Sequence, residues 1–466
     1  MRRMLLAAVL LTGCAHPAEP APAVAATASV DALAPHADDP LAGPRIEAVD
    51  AMLAQIDPPS LRGHIERLVA FGTRHTLSET ASKTRGIGAA RRAIAATMKQ
   101  SPALQVRLDP HRIEPDGRRV DAPTDVVNVV AVLPGTLPDA RDRHVYVIGH
   151  YDSRVTDPMN RTDDAPGAND DGSGTAVVME LARVMSQHEY DATLVFMATA
   201  GEEQGLLGAR AHAQAAKAQG VDIVAVLSND IVGDPTGPSG AVHDDRVRVF
   251  SIALPPWLLD EDLGRLRTLA ATHDGPSRQL ARYVHEVGRR HALPVQAQMV
   301  FRRDRFLRGG DHTAFNEAGY AAVRFSEVEE NYDRQHQDVR TEDGRSYGDL
   351  LEHVNPDYLA GVARLNAAAA AHLANAPSAP ADARIVADTL RHDTLLRWTA
   401  SPESDVAGYE VVWRDTTQPQ WTHARDVGNV TEATMPMSKD NVFFGIRAYD
   451  VDGYRSLVRF TEVGRS

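Results

Sequence analysis

His144-Val145-Tyr146-Val147-Ile148-Gly149 is a near-continuous apolar run that stops at His150-Tyr151-Asp152-Ser153. Downstream lies Gly167-Ala168-Asn169-Asp170-Asp171-Gly172-Ser173-Gly174, and then residues 175–185, with apolar positions at Val177, Val178, Leu181, Ala182 and Met185. That spacing is one face of a helix. Residues 193–198 are again apolar and end at Gly201-Glu202-Glu203. Residues 126–133 read as a further strand stopped by Pro134-Gly135, residues 223–227 as one ending at Asn229-Asp230, and residues 321–325 as a fifth. Residues 206–218 and 279–291 carry helical patterns between them. Apolar strands alternating with helices predict an α/β fold, a mostly parallel mixed sheet with helices on both faces.

The polar residues fall at the strand ends, where an open α/β sheet builds its site. His150 and Asp152 are two apart and point to the same side of an extended chain. A carboxylate beside an imidazole can fix its tautomer. Asp170 sits in a glycine-flanked loop entering a helix. It is read as a metal ligand because of its company, while Asp171 and Ser173 are read as caps or loop support. Glu202 and Glu203 are adjacent acids that repel unless exposed, protonated or offset by cations. One would bind a metal and the other would take a proton from the attacking water. The competing reading of the pair is an acidic first turn that complements a helix dipole. Asp230 arrives at the same sheet edge, and His336 in Tyr332-Asp333-Arg334-Gln335-His336-Gln337-Asp338 is the candidate late ligand. Asp311-His312, after Gly309-Gly310, is expected to line the substrate pocket or to support a loop.

Taken together, these residues resemble the M28 family of zinc peptidases over roughly residues 60–375. The motifs carrying the resemblance are the strand-end His150, residues 167–174, Gly201-Glu202-Glu203, Asn229-Asp230, Gly309-Gly310-Asp311-His312 and the final His336. The resemblance implies two Zn2+ ions bridged by Asp170, one also held by His150 and Asp230, the other by Glu203 and His336. It implies Glu202 as general base, Asp152 orienting His150, Tyr332 as a candidate hydroxyl near the reaction, and a cis peptide between Asp170 and Asp171. The position four before Asp338 is Arg334 rather than histidine, so the last ligand is carried to His336. The implied activity is a di-zinc exopeptidase, an aminopeptidase acting on peptides. The alternatives are a carboxypeptidase or glutaminyl cyclase-like enzyme of the same fold, or a non-catalytic surface-binding lipoprotein. Arg302-Arg303-Asp304-Arg305 would suit a terminal carboxylate in the carboxypeptidase reading.

The remaining chain frames this domain. Of 466 residues, 43% are hydrophobic and 24% charged, as in a folded globular protein. A net charge of −14 argues against nucleic acid as a partner. Met1-Arg2-Arg3, an apolar stretch at 4–11 and Leu11-Thr12-Gly13-Cys14 read as a secretory signal. It resembles a lipobox, which implies a signal peptide over 1–13 and a lipid on Cys14. An ordinary signal peptide is the alternative. Cys14 is the only cysteine, so no intrachain disulfide exists. Residues 14–45 are rich in Ala and Pro and read as a flexible tether. Ala15 after the cysteine favours the outer membrane, facing the periplasm. The peptidase-like domain is expected over 46–376. After Pro377 and Pro380, residues 381–466 carry short alternating strands at 394–398, 408–413 and 442–449. They predict a small C-terminal β-sandwich that resembles a fibronectin type III domain. Trp398 is expected in its core.

Overall fold

The computed structural model describes residues 41, 43–254, 258, 263, 264, 266, 267, 271–388 and 390–464. The signal, Cys14 and most of the tether lie outside the described residues. Among the described residues no helix is long and apolar enough to cross a membrane.

The larger part of the molecule is built on one eight-stranded sheet, whose strands are β1 (Gln105–Ile113), β2 (Thr124–Leu133), β3 (Arg143–His150), β4 (Thr193–Thr199), β5 (Asp222–Asn229), β6 (Arg246–Ser251), β7 (Gln296–Val300) and β8 (Ala322–Ser326). Their order across the sheet is β1-β2-β4-β3-β5-β8-β6-β7. The centre, β4-β3-β5-β8, is parallel, while β1, β2 and the β6/β8 pairing are antiparallel. The mixed, mostly parallel sheet expected from the apolar runs is present. Its margins include β1 and the mutually parallel β6 and β7, whose sequences lack a continuous apolar run.

Helices cover both faces, as a sheet with every residue of β4 buried requires. They are α1 (Glu47–Leu53), α2 (Pro58–Val69), α3 (Gly86–Met98), α4 (Gly172–Met185), α5 (Leu207–Ala218), α6 (Pro276–Arg290), α7 (His312–Ala318) and α8 (Pro356–Asn375). One core cluster joins β3, α4, α6 and the alanine-rich α8, where small side chains permit close approach. A second, between the sheet and α5 with α7, contains Tyr146, Ile148, Met197 and Phe315.

The C-terminal strands are β11 (Ala381–Val386), β12 (Thr394–Thr399), β13 (Val406–Asp415), β14 (His423–Gly428), β15 (Glu432–Met435), β16 (Val442–Asp450), β17 (Arg459–Phe460) and β18 (Glu462–Gly464), after a β9 (Arg340–Glu342) and β10 (Arg345–Tyr347) hairpin. They form two four-stranded sheets, β15-β12-β11-β18 and β14-β13-β16-β17. Trp398, Tyr409, Val411, Phe444 and Ile446 fill the core between them.

The described residues of this sandwich and of the large sheet belong to one compact unit. Buried ion pairs join them. Asp274 receives Arg414 at 2.8 Å through both carboxylate oxygens and Arg282 at 2.8 Å. Trp421 donates its indole N–H to Gln279 at 3.0 Å. The packed chain also starts earlier than the expected tether boundary. Leu41 is buried against Val412 and Trp421, and its carbonyl accepts from Arg447 at 3.1 Å. An apolar side chain that finds a pocket of this kind gains more from burial than the tether composition suggests.

Candidate metal centre

Three parallel strands deliver the site at their C-terminal ends. His150 is the last residue of β3, Glu202 and Glu203 follow β4, and Asp230 follows β5. Asp170 lies just before α4, and its peptide bond to Asp171 is cis. His336 comes from the loop after β8, with a positive φ of 55°.

These side chains form two triads that share Asp170, namely His150–Asp170–Asp230 and Asp170–Glu203–His336. His150 Nε2 is 3.2 Å from one Asp170 oxygen and 3.9 Å from Asp230. His336 Nε2 is 2.8 Å from the other Asp170 oxygen and 3.1 Å from Glu203 Oε1. A carboxylate presenting one oxygen to each triad is the donor arrangement of a bridged pair of cations.

The donor set fits a divalent metal. Glu203 Oε1 is buried and has no hydrogen-bond donor, although it faces His336. Asp170, Asp230 and Glu203 are all buried within one small volume. Imidazole and carboxylate are the zinc ligands of hydrolytic enzymes. Glu202 stands beside them, half-buried. Burial, opposed by His150 and reinforced by Asp230, Glu203 and Asp311, holds its carboxyl well above the usual range.

Supporting contacts explain why these residues stay in place. Asp171 caps α4 by accepting from Gly174 N at 2.9 Å, and it also accepts from His150 N at 2.9 Å. Ser173 donates to the Asn169 carbonyl and accepts from Val232 N, so both residues are loop support. Asp152 acts on His150, Thr76, Glu202 and Glu203. Its carbonyl oxygen meets His150 Nδ1 at 3.1 Å, with the carboxylate at 3.6 Å. That carboxylate accepts from Thr76 at 2.7 Å and from the amides of Glu202 and Glu203 at 3.3 and 3.2 Å. It therefore orients the glutamate pair at least as directly as the histidine.

Asp311 and His312 lie behind the site. Asp311 is buried and accepts from Thr199, and His312 Nε2 meets the Arg303 carbonyl at 2.8 Å. They support the glycine turn and do not line the cavity. Tyr332 is exposed on the outside, with Arg308 5.0 Å from its ring centre. Arg334 is held by Asp234 in an ion pair, which leaves His336 to face the site.

Four residues with no motif of their own complete the frame. Asp349 accepts from the amides of Asn169 at 2.8 Å and Asp170 at 2.7 Å. Arg74, fully buried, donates to the carbonyls of Tyr151, Pro166 and Gly167 at 2.7, 2.6 and 2.8 Å. Arg324 is also fully buried and lies 2.7 Å from Asp230. Arg154 lies 3.0 Å from Glu203 Oε2. Two of these could be suspected locally, because Arg154 follows His150-x-Asp152 and Arg324 is a charge inside an apolar strand.

The site opens into a cavity of ≈ 350 Å³, with Glu202, Asp230 and His336 in its wall and Arg119, Arg308 and Leu307 at its rim. A second group, Asp109, His111 and His212, lies on β1 and α5. There one Asp109 oxygen accepts from both rings at 2.9 and 2.8 Å and from Asn128 at 3.3 Å, a fully paired carboxylate that ties α5 to the sheet edge.

Sheet, strand-end ligands and a neighbouring glutamate define a metal-dependent hydrolase. The family model "Peptidase family M28" matches residues 128–368. A probable zinc metalloprotease of Pyrenophora tritici-repentis is 43% identical over 421 residues, covering 89% of this chain and 86% of its own. One of Pyricularia oryzae is 43% identical over 458 residues, covering 96% and 88%. Among solved structures, the LapA aminopeptidase of Legionella pneumophila aligns at 19% identity with a TM-score of 0.48, covering 71% of this chain and 74% of that one. The chain belongs to peptidase family M28 and is a zinc metallopeptidase.

Proposed function

We propose that the protein is a di-zinc aminopeptidase that releases N-terminal residues from peptides. The observation carrying this is the pair of ligand triads sharing Asp170, with Glu202 beside them in the cavity wall. Zinc, when bound, would polarise the scissile carbonyl and make water a better nucleophile at neutral pH. Glu202 takes the proton from the attacking water and returns it to the nitrogen of the leaving amine. The carboxylates of Glu202, Glu203, Asp170 and Asp230 share the cavity lining with Arg119, Arg154, Arg305 and Arg308.

Within the 302–305 cluster, the Arg305 guanidinium is already used and is not free to take a terminal carboxylate. It pairs with Asp304 at 3.0 Å and Glu330 at 2.5 Å and donates to the Gly309 carbonyl at 3.1 Å.

The test is a panel of aminoacyl chromogenic substrates and their N-blocked forms. Free-amine substrates should be cleaved and blocked ones not. Glu202→Gln should lose about 10²–10⁴-fold in rate while keeping its zinc. Wild-type hydrolysis by that variant with zinc bound would overturn the mechanism.

Two accessory readings are also proposed. Residues 381–466 are a fibronectin type III-like module, supported by the strand orders of the two sheets. Cys14 carries a lipid that anchors the enzyme to the cell envelope, which labelled-fatty-acid incorporation and its loss in Cys14→Ser would test.

A further inference from the structure

The two histidines of the metal centre differ in what their second nitrogen meets. His150 Nδ1 meets the Asp152 carbonyl oxygen, an acceptor, at 3.1 Å. That contact places the ring proton on Nδ1 and leaves the Nε2 lone pair free for a metal. His336 Nδ1 instead meets Arg154 Nη2 at 2.6 Å. A guanidinium has donors only. Nδ1 must therefore be the acceptor, and the proton of the neutral ring sits on Nε2, the atom that faces Asp170 and Glu203.

A metal on His336 Nε2 needs the opposite tautomer. Nδ1 would then carry the proton and confront the Arg154 donor at hydrogen-bond distance. Arg154 also places its fixed charge 3.0 Å from Glu203, another ligand of the same triad. The side chain is largely buried, with 16% of its surface exposed, so solvent does little to screen it. The first triad has its own arginine, since Arg324 lies 2.7 Å from Asp230. That arginine touches Asp230 Oδ1, the oxygen nearest His150 Nε2, but it is offset by Asp304 at 3.3 Å, and the His150 ring keeps a carbonyl on its second nitrogen. An imidazole has no spare nitrogen.

We infer that Arg154 is a built-in competitor of the second zinc, so that the His150 triad fills first and the His336 triad binds weakly until Arg154 swings aside. This rests on the two-zinc reading above and assigns its two sites unequal affinities. It makes Arg154 a positioning residue that sets how much free zinc the fully loaded enzyme needs.

The experiment is zinc titration of the full chain after chelator treatment, read by calorimetry and by metal content at buffered free zinc. The wild type should show two steps of distinct affinity. Arg154→Gln, whose amide oxygen accepts from Nδ1–H, should tighten the second step by about 10–100-fold and leave the first unchanged. Arg154→Lys should keep the second step weak. Arg154→Met, which loses the charge without adding an acceptor, should tighten it less than Gln does. His336→Ala should lose the second zinc only. If His336→Ala loses one zinc but Arg154→Gln and Arg154→Met bind like wild type, the role of Arg154 is overturned and the two-zinc reading stands. If His336→Ala still binds two zinc ions, both fall together. Equal affinities in the wild type, or a tightening of both steps in Arg154→Gln, would also overturn the inference.

Discussion

Asp349→Ala should weaken metal binding at both triads at once, although Asp349 touches no proposed ligand side chain directly. Its two carboxylate oxygens accept from the amides of Asn169 and Asp170 at 2.8 and 2.7 Å, and its own carbonyl accepts from Ala168 N at 3.3 Å. It thereby fixes the backbone of the shared ligand Asp170. A hydrogen bond to a charged acceptor contributes about 1.5–3 kcal/mol, so the two together are worth about 3–6 kcal/mol gross. Burying the carboxylate opposes this. Burial, countered in part by those same amides, holds its pKa up to about 7. Removal returns some of that cost, and the net destabilisation should be about 2–4 kcal/mol. Losing an outer partner of a metal site typically lowers affinity about 10–100-fold, which is about 1.4–2.7 kcal/mol. The two figures agree in scale, as expected if the strain of an unanchored Asp170 appears in both. Competition with a chromophoric chelator would measure affinity, and urea unfolding of the zinc-loaded protein would measure stability. Asp349→Asn should be nearly as damaging, since one oxygen becomes a donor facing an amide N–H. An alanine variant with wild-type zinc affinity and stability within about 0.5 kcal/mol would refute the reasoning, because surface-like changes fall in that range.

The sandwich junction gives a second expectation. Asp274→Ala strands Arg282 and Arg414, both nearly buried, without their shared carboxylate, and should cost about 3–5 kcal/mol. The urea midpoint should fall while zinc content stays unchanged, and an unaltered midpoint would count against a coupled junction. A third concerns pH. Asp191, near Asp405 and Asp450 at the same junction, has its pKa pushed up to about 6 by burial and then by Asp405. The folded state then holds that proton more tightly than the unfolded chain, so this stabilisation is present at low pH and lost as pH rises from about 4 to about 6. Asp191 is partly exposed, so solvent screening reduces the effect to about 1 kcal/mol. Asp191→Asn should flatten that fall in stability, and urea midpoints across the range would show it. Finally, chelation should lower the melting temperature, because Asp170, Asp230, Glu202 and Glu203 then face one another with only Arg154, Arg324 and the two histidines to offset them. Free zinc at a hundred times Kd adds about 2.7 kcal/mol, and a melting temperature insensitive to chelator would contradict the site.

The sequence reached as far as its signals were local. β3, β4, β5 and β8 announce themselves as apolar runs, and each run ends on a residue of the site or beside one. β1 does not, because alternate residues face solvent and its pattern of Arg107, Asp109, His111 and Arg112 reads as polar loop. β6 and β7 are short and carry similar interruptions. His150, Glu203 and Asp230 stand out as candidate ligands for the same reason as their strands, because position at a strand end restricts what a histidine or carboxylate can be for, whereas Asp170 and His336 stand in loops. The frame was not, because its contacts span great separations along the chain. Asp349 lies 179 residues from Asp170, and Arg154 lies 182 from His336. No periodicity or spacing encodes such pairs.

That division has a chemical consequence. His150 receives its orienting carbonyl from Asp152, two residues away, so a strand-end His-x-Asp carries both the ligand and its tautomer in one motif. His336 stands in a loop, and its second nitrogen takes whatever the fold brings to it, here an arginine. A site whose orienting partner is local is preset wherever the strand forms. A site whose partner is distant depends on tertiary packing, and its affinity can be tuned without touching a ligand. The shared Asp170 binds these two regimes together: an amide-anchored carboxylate holds one oxygen for a preset histidine and the other for an adjustable one. On the proposed two-zinc reading, unequal metal sites would follow from that arrangement of partners, even though each triad offers one histidine and two carboxylates.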